Sequence, residues 1–401
     1  MIKRKTILAL VLAMTASMGF AQRFTDKIDR GLVAVPSSTS GNFVSWHIFG
    51  EEYYDVTYNL YCNGTKIAEN LNVSCYNHSN GNASSKYQVA AVVKGVEQEK
   101  CAEVTRWNNG VLTIPVQKIT GRDGTDVTSN YTINDISLGD LDGDGVVEFI
   151  AKRPCSVAAD VSQKNCFHVL DCYDHKGNRL WWIDLGPNML AGADEQWDCV
   201  CYDWDMDGKA EMLMRGADNM IIHTATGKTI NVGNMSYVAP RDEYTHQGAE
   251  YLLYLNGATG EPFDWDGGEN YQPMDYPLPR FEEGESDYAT VWGQNDTGHR
   301  SSKHYFGAPY LDGRHPSIFL GRGCYTRHKM CALDVDPATH KLTQRWRWNC
   351  YDSKSPWFGN GFHNFAIADV DMDGRDEIVF GSMIIDDTGY GLATTGLGHG
   401  D

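Results

Sequence analysis

Positive charge is scarce in this chain. Its 401 residues carry 34 Lys and Arg against 53 Asp and Glu, a formal net charge of −19. A general nucleic-acid binder needs a basic face, so that class is excluded. Apolar runs are short. None reaches the roughly 20 residues of a transmembrane helix, so no membrane span is expected. No C-x-x-C pair and no clustered Cys/His set occurs, which argues against zinc. The eleven cysteines are an odd number, so at least one thiol stays unpaired within the chain, and the sequence does not say which others pair.

The N-terminus has the pattern of a secretory signal. Lys3, Arg4 and Lys5 form a basic region, Thr6 to Met14 is mostly apolar, and Gly19, Phe20 and Ala21 precede the expected cleavage. No Cys follows, which argues against a lipoprotein anchor. Residues 1–21 are therefore assigned as signal, and the mature chain as secreted, extracellular or periplasmic.

Three stretches repeat one design: Asp140, Asp142, Asp144, Gly145 and Glu148; Asp203, Asp205, Asp207, Gly208 and Glu211; Asp369, Asp371, Asp373, Gly374 and Glu377. Carboxylates stand at positions 1, 3, 5 and 9, with Gly at 6 for a sharp turn. The carbonyl at 7 belongs to Val146, Lys209 or Arg375. Ca²⁺ takes about six to eight oxygens at roughly 2.4 Å, and this spacing wraps them around one point. A helical Ca²⁺ hand carries its last Glu at position 12. Here the Glu runs straight into strand-like apolar residues, as in Phe149-Ile150 and Ile378-Val379-Phe380. Several Ca²⁺ ions in loops between strands are expected.

Arg23 to Val116 shows short alternating runs separated by turn clusters, the pattern of a small β-sandwich. From Gln117 the chain is periodic. Tyr310-Leu311-Asp312-Gly313 reads as a metal loop that has lost most of its carboxylates. Starts at Asp140, Asp203, Asp312 and Asp369 lie 63, 109 and 57 residues apart. The middle gap fits two units, or one unit with an insertion. Such repeats signal a β-propeller. About four to five blades fit before the chain stops at His399, Gly400 and Asp401, where another unit would begin. The expected organisation is signal 1–21, sandwich 22–116 and an incomplete propeller over 117–401.

Segments along nearly the whole mature chain resemble the family 11 rhamnogalacturonan lyases of bacteria. They include Arg30-Gly31-Leu32-Val33-Ala34-Val35, Asn134-Asp135 running into the first metal loop, Arg322-Gly323-Cys324-Tyr325-Thr326-Arg327, His363-Asn364-Phe365 and Gly398-His399-Gly400-Asp401. The resemblance implies an all-β fold: a small fibronectin type III-like sandwich, then an eight-bladed, Ca²⁺-binding propeller, incomplete here. It implies β-elimination on the rhamnose–galacturonate backbone of pectin, an anionic polysaccharide partner and a monomer. It also implies that Asp135 joins the ion held by Asp140, Asp142, Asp144, Val146 and Glu148, that Asn134 contacts substrate, and that His363 and His399 are metal ligands. Lys152-Arg153-Pro154 departs from the family's Lys-Trp-Asp-Pro.

Elimination from a uronate needs a cation at the C6 carboxylate and a base at the C5 proton. Lys152, just beyond the strand of the first metal loop, is the expected base. Arg322, Tyr325 and Arg327 are the other candidates, expected at the substrate. Rival readings are a non-catalytic Ca²⁺-stabilised propeller that binds pectic sugar or a surface partner, and a two-carboxylate hydrolase. The latter ranks last, because every prominent carboxylate is already used by a loop.

Overall fold

The computed structural model describes residues 28–49, 52, 56–190, 198–240, 247–293, 298–350 and 355–399. The expected signal lies outside them. The chain is all-β. Helix among the described residues is limited to short turns such as Tyr288–Trp292 and His299–Ser302, and no helix is long and apolar enough to cross a membrane.

Two antiparallel sheets precede residue 106. Val33–Pro36, Asn42–Ser45 and Cys75–His78 form one; Thr65–Leu71, Thr57–Cys62, Lys86–Val93 and Val96–Lys100 form the other, with Val104–Thr105 beside it. Their alternating apolar residues meet in one core. Ala34 and Val44 come from the first sheet, and Tyr58, Leu60, Tyr87, Val89 and Ala91 from the second.

Four antiparallel ladders follow, each begun by a hairpin around one of the Asp loops. The Asp140 ladder is Ile136–Gly139, Glu148–Arg153, Val169–Tyr173 and Arg179–Asp184. The Asp203 ladder is Cys199–Tyr202, Glu211–Ala217, Glu250–Leu255 and Met274–Asp275. The Asp312 ladder is His304–Gly307, Ile318–Arg322, Lys329–Val335 and Leu342–Asn349. The Asp369 ladder is Ala366–Ala368, Glu377–Phe380, Met383–Ile385 and Gly391–Thr394. The long middle gap is thus one unit with an insertion. Its hairpin, Met220–His223 with Thr229–Val232, leaves its own ladder and extends the Asp140 one, where Trp182 pairs with His223.

Consecutive ladders stack face to face, because period-2 alternation gives each strand two buried faces. Met212 and Met214 pack toward Ile150, Leu170 and Cys172. Leu213 between them packs with Leu252, Ile318, Leu320 and Leu333. Phe319, Met330 and Trp346 meet Ile378, Phe380 and Met383. A fourth-strand Trp locks the first and last of these three stacks. Trp181 Nε1 donates to the Gly257 carbonyl at 2.6 Å, and Trp346 Nε1 to the Asp387 carbonyl at 2.9 Å. The first strands lie very close. A Cβ added to Gly139 would sit 2.6 Å from the Cβ of Cys201, so only Gly fits there.

Candidate active site and metal loops

The three acidic loops share one hydrogen-bond register. The first Asp accepts from the N–H at position 6: Asp140 from Gly145, Asp203 from Gly208 and Asp369 from Gly374, each at 2.9 Å. The third position accepts from the fifth, and the fifth from the seventh, in all three. The terminal Glu reaches back to the second N–H: Glu148 to Leu141, Glu211 to Trp204 and Glu377 to Val370. The position-6 glycines adopt φ of 86°, 92° and 95°, a left-handed turn that disfavours any side chain.

These bonds orient the carboxylates so that oxygens from several of them converge. One oxygen each of Asp203, Asp205, Asp207 and Glu211 lies within 4.8 Å of the rest. Asp140, Asp142 and Glu148 converge likewise, as do Asp369, Asp371 and Glu377. Asp144 and Asp373 stand outside these tight groups. Asp369 Oδ1 and Glu377 Oε1 are buried without a hydrogen-bond partner. Buried carboxylate oxygens of that kind call for a cation, so the residues fit a divalent ion. Burial, then the charges of Asp142, Asp144 and Asp140, push Glu148 up to about 7. Burial, then Asp205, push Glu211 up to about 9.

A pH prediction follows for the cation-free chain. Both folded carboxyls titrate above the unfolded value of 4.5. Their stabilising protons are fully present below that value and are lost as pH rises toward about 7 and about 9. In EDTA the melting temperature should fall between pH 5 and pH 8. Excess Ca²⁺ should flatten or reverse that slope. A cation-free melting temperature that rises over this window would contradict it.

The Asp312 loop is closed differently. Asp312 accepts from the N–H groups of Arg314 and His315 at 2.7 Å, and His315 Nδ1 lies 2.6 Å from its other oxygen. Here an imidazole, not a second carboxylate, meets the loop's Asp.

The acidic loops join first strands to second strands, so they occupy one end of the ladders. The other end carries a different set of residues. A cavity of about 420 Å³ there is lined by Asp198, Cys199, Lys303, His304, Tyr305, His363, Asn364 and Phe365, among others. Lys152, on the neighbouring second strand, is ion-paired to Asp198 with 4% of its side chain exposed. His304 is buried, with Nδ1 3.2 Å from the Tyr276 hydroxyl and Nε2 unpartnered. Burial, then Arg322 and Arg215, hold it well below the ordinary histidine range. Beside this cavity the Tyr325 hydroxyl lies 2.8 Å from His363 Nε2, and the Tyr325 ring is 4.6 Å from that of His399. Tyr325 is 36% exposed and holds φ at 60°, an uncommon conformation for an aromatic residue.

This two-ended arrangement accompanies a clear kinship. The family model "Rhamnogalacturonan lyase family 11, C-terminal domain" matches residues 111–401. The chain belongs to rhamnogalacturonan lyase family 11. The "Rhamnogalacturonan I lyases beta-sheet domain" matches residues 23–107. The chain is 37% identical to the Bacillus subtilis rhamnogalacturonan endolyase YesW over 390 residues, 95% of this chain and 59% of that protein. It is 37% identical to the exolyase YesX of the same organism over 393 residues, 95% and 60% respectively. It therefore spans about three fifths of these relatives' length. The YesW crystal structure superposes with a TM-score of 0.76 at 36% identity, covering 95% of this chain and 62% of that one. Bacillus licheniformis rhamnogalacturonan lyase PL11 gives 0.74 at 35%, covering 94% and 62%.

Several expected roles in this family 11 chain need correction. Asp135 and Asp140 flank the strand Ile136–Gly139. Five residues of extended chain separate them by roughly 16 Å, so Asp135 cannot share the ion of the Asp140 loop. Lys152 is buried and ion-paired to Asp198, which itself lines the cavity, rather than open to a sugar. Arg322 is buried, bidentate on Glu250 at 2.7 and 3.0 Å, and also donates to the Leu278 and Ser301 carbonyls. Arg327 is buried on Glu285 at 2.9 Å. Arg322 thereby ties its ladder to the Asp203 ladder, while Arg327 ties its strand connection to the segment around Glu285. Asn134, exposed, lies at the cavity end of the ladders, where its N–H donates to the Lys152 carbonyl at 2.9 Å. Tyr325, His363 and His399 are brought together. Sequence reasoning missed Asp198, Lys303 and His304, which belong to no local motif.

Proposed function

We propose that this chain cleaves the rhamnose–galacturonate backbone of rhamnogalacturonan I by β-elimination. Family membership gives the reaction class, and the exposed Tyr325–His363 pair carries the reading at the level of residues. The C5 proton of galacturonate is acidic only when charge on its C6 carboxylate is offset. Lys303 lines the cavity beside this pair and offers positive charge there. The Tyr325 hydroxyl and His363 Nε2 share one proton and form a relay able to accept the C5 proton. The C4–O bond to rhamnose then breaks, the departing oxygen takes a proton, and a C4=C5 double bond remains. The Lys152–Asp198 ion pair shapes the cavity wall.

The stacked ladders are read as propeller blades, and the two N-terminal sheets as a β-sandwich over 22–116. Relatives' greater length supports an eight-bladed ring. Ca²⁺ is the cation that best suits all-oxygen loops; bound there, it neutralises the converging carboxylates and clamps the hairpins. The loops sit at the opposite end of the first strands from Tyr325, so their role is structural. Of the two histidines the resemblance offers as ligands of a separate ion at the cavity, His399 keeps that role, while His363 is committed to the Tyr325 relay. The leader-like N-terminus supports secretion, and a monomer working on an anionic pectic chain is the expected form.

The test is incubation with rhamnogalacturonan I followed in the ultraviolet. Elimination creates an absorbing double bond, hydrolysis yields reducing ends without absorbance, and a sugar-binding protein yields neither. Either of the last two results would overturn the proposal.

A further inference from the structure

Two thiols outside the cavity are placed for a covalent link. Cys155 and Cys166 begin and end the connection between Glu148–Arg153 and Val169–Tyr173. Both are buried, at 4% and 5% exposure, in one small apolar cluster with Val127, Ala158, Val169 and Leu190. Cys155 Sγ lies 3.8 Å from the Cys166 carbonyl oxygen. Their backbones are fixed independently. Cys155 bridges to Tyr131, and its N–H donates to His168 Nδ1 at 2.9 Å. Gln163 laces the far end, accepting from the Cys166 N–H at 3.1 Å and donating to the Cys166 carbonyl at 2.8 Å. A disulfide needs its two cysteines held close together, and these two are fixed in one buried cluster. Cys172 and Cys199, by contrast, are wedged in the core between facing ladders.

We propose that Cys155 and Cys166 form a disulfide that clasps this loop when the protein folds under oxidising conditions. The loop carries Val161 and Lys164, which line a second cavity of about 790 Å³ with Arg122, Phe167 and Val238 at the same end of the ladders as Lys152. Closure would fix that wall. The step balances with a disulfide oxidant such as oxidised glutathione. One cysteine thiolate attacks it, releasing reduced glutathione. The other attacks the mixed disulfide, releasing a second. Two cysteine thiols are oxidised, one glutathione disulfide is reduced, and two protons are taken up by the glutathione thiolates. Burial pushes the Cys155 thiol up to about 11, and the Cys166 thiol adds to it, so the exchange belongs to folding, while the thiols are still accessible.

The experiment refolds the full chain from urea with Ca²⁺ in a glutathione redox buffer. It then alkylates under denaturing conditions and maps peptides without reduction. Protein exported to an oxidising compartment gives the same reading without refolding. The expected result is a Cys155–Cys166 linked peptide, about 2 Da lighter than the dithiol form. Dithiothreitol should lower the melting temperature, and Cys155→Ser should abolish that difference. Both cysteines fully alkylated after oxidation, or each capped separately by glutathione, would overturn the proposal. Neither readout depends on lyase activity, so failure here leaves the functional proposal standing.

Discussion

Removing divalent cations should lower the melting temperature of this protein by roughly 5–10 °C, the largest stability effect expected of any single treatment. At a dissociation constant of ~10⁻⁴ M, typical of extracellular Ca²⁺ modules, 1 mM Ca²⁺ contributes about 1.4 kcal/mol per loop and about 4 kcal/mol for three. That is a large share of the ~5–15 kcal/mol of a typical domain. The Asp203 loop should dominate. Asp203, Asp205 and Glu211 are all buried, Glu211 also accepts from the Tyr254 hydroxyl at 3.0 Å, and His340 from the Asp312 ladder reaches Asp205 at 2.9 Å. Glu211→Gln separates charge from shape. In EDTA it removes a buried carboxylate crowded by Asp205 and should raise the melting temperature. In Ca²⁺ it removes a ligand and should lower it. A calorimetric scan in both conditions reads the two signs. The same sign in both would mean that the loop holds no cation.

Those loops were legible because their chemistry is local. Carboxylates at 1, 3, 5 and 9 with Gly at 6 need only nine residues to declare themselves, and the strands on either side follow from the apolar runs that flank them. The cavity end was not legible for the opposite reason. Asp198, Lys303 and His363 begin or precede the first strands of three different ladders, and only stacking brings them together. The partners of Arg322 and Arg327 were not legible either, because their carboxylates, Glu250 and Glu285, lie 72 and 42 positions away in sequence. An arginine beside a suspected site looks available until its partner is known. The Met220–Val232 hairpin likewise gave no sign that it would pair with the preceding ladder. Its turn, Thr224 to Gly227, fixes a hairpin but not the sheet that receives it.

Tyr325→Phe should reduce the elimination rate by about 10²–10⁴-fold, the range for loss of a positioned proton-transfer group. The substitution deletes one hydroxyl at a partly exposed site and keeps the ring against His399, so the melting temperature should stay within about 0.5 kcal/mol of the parent in stability terms. His363→Gln should give a loss of similar size, because Tyr325 then lacks the imidazole that shares its proton. The double variant should be scarcely slower than either single one, since groups that act as a unit are not additive. Lys152→Ala gives the contrast. Its ion pair is shielded on the lysine side and open on the Asp198 side, where 40% of the side chain is exposed. Losing it should destabilise the cavity wall and raise KM more than it lowers kcat. The readout is the ultraviolet assay on each variant over a range of substrate concentrations, with a melting curve beside it. A Tyr325→Phe enzyme with the parent kcat would remove the phenol from the mechanism. If Lys152→Ala instead showed the parent fold and no turnover, the base would have to be sought at the Lys152–Asp198 pair.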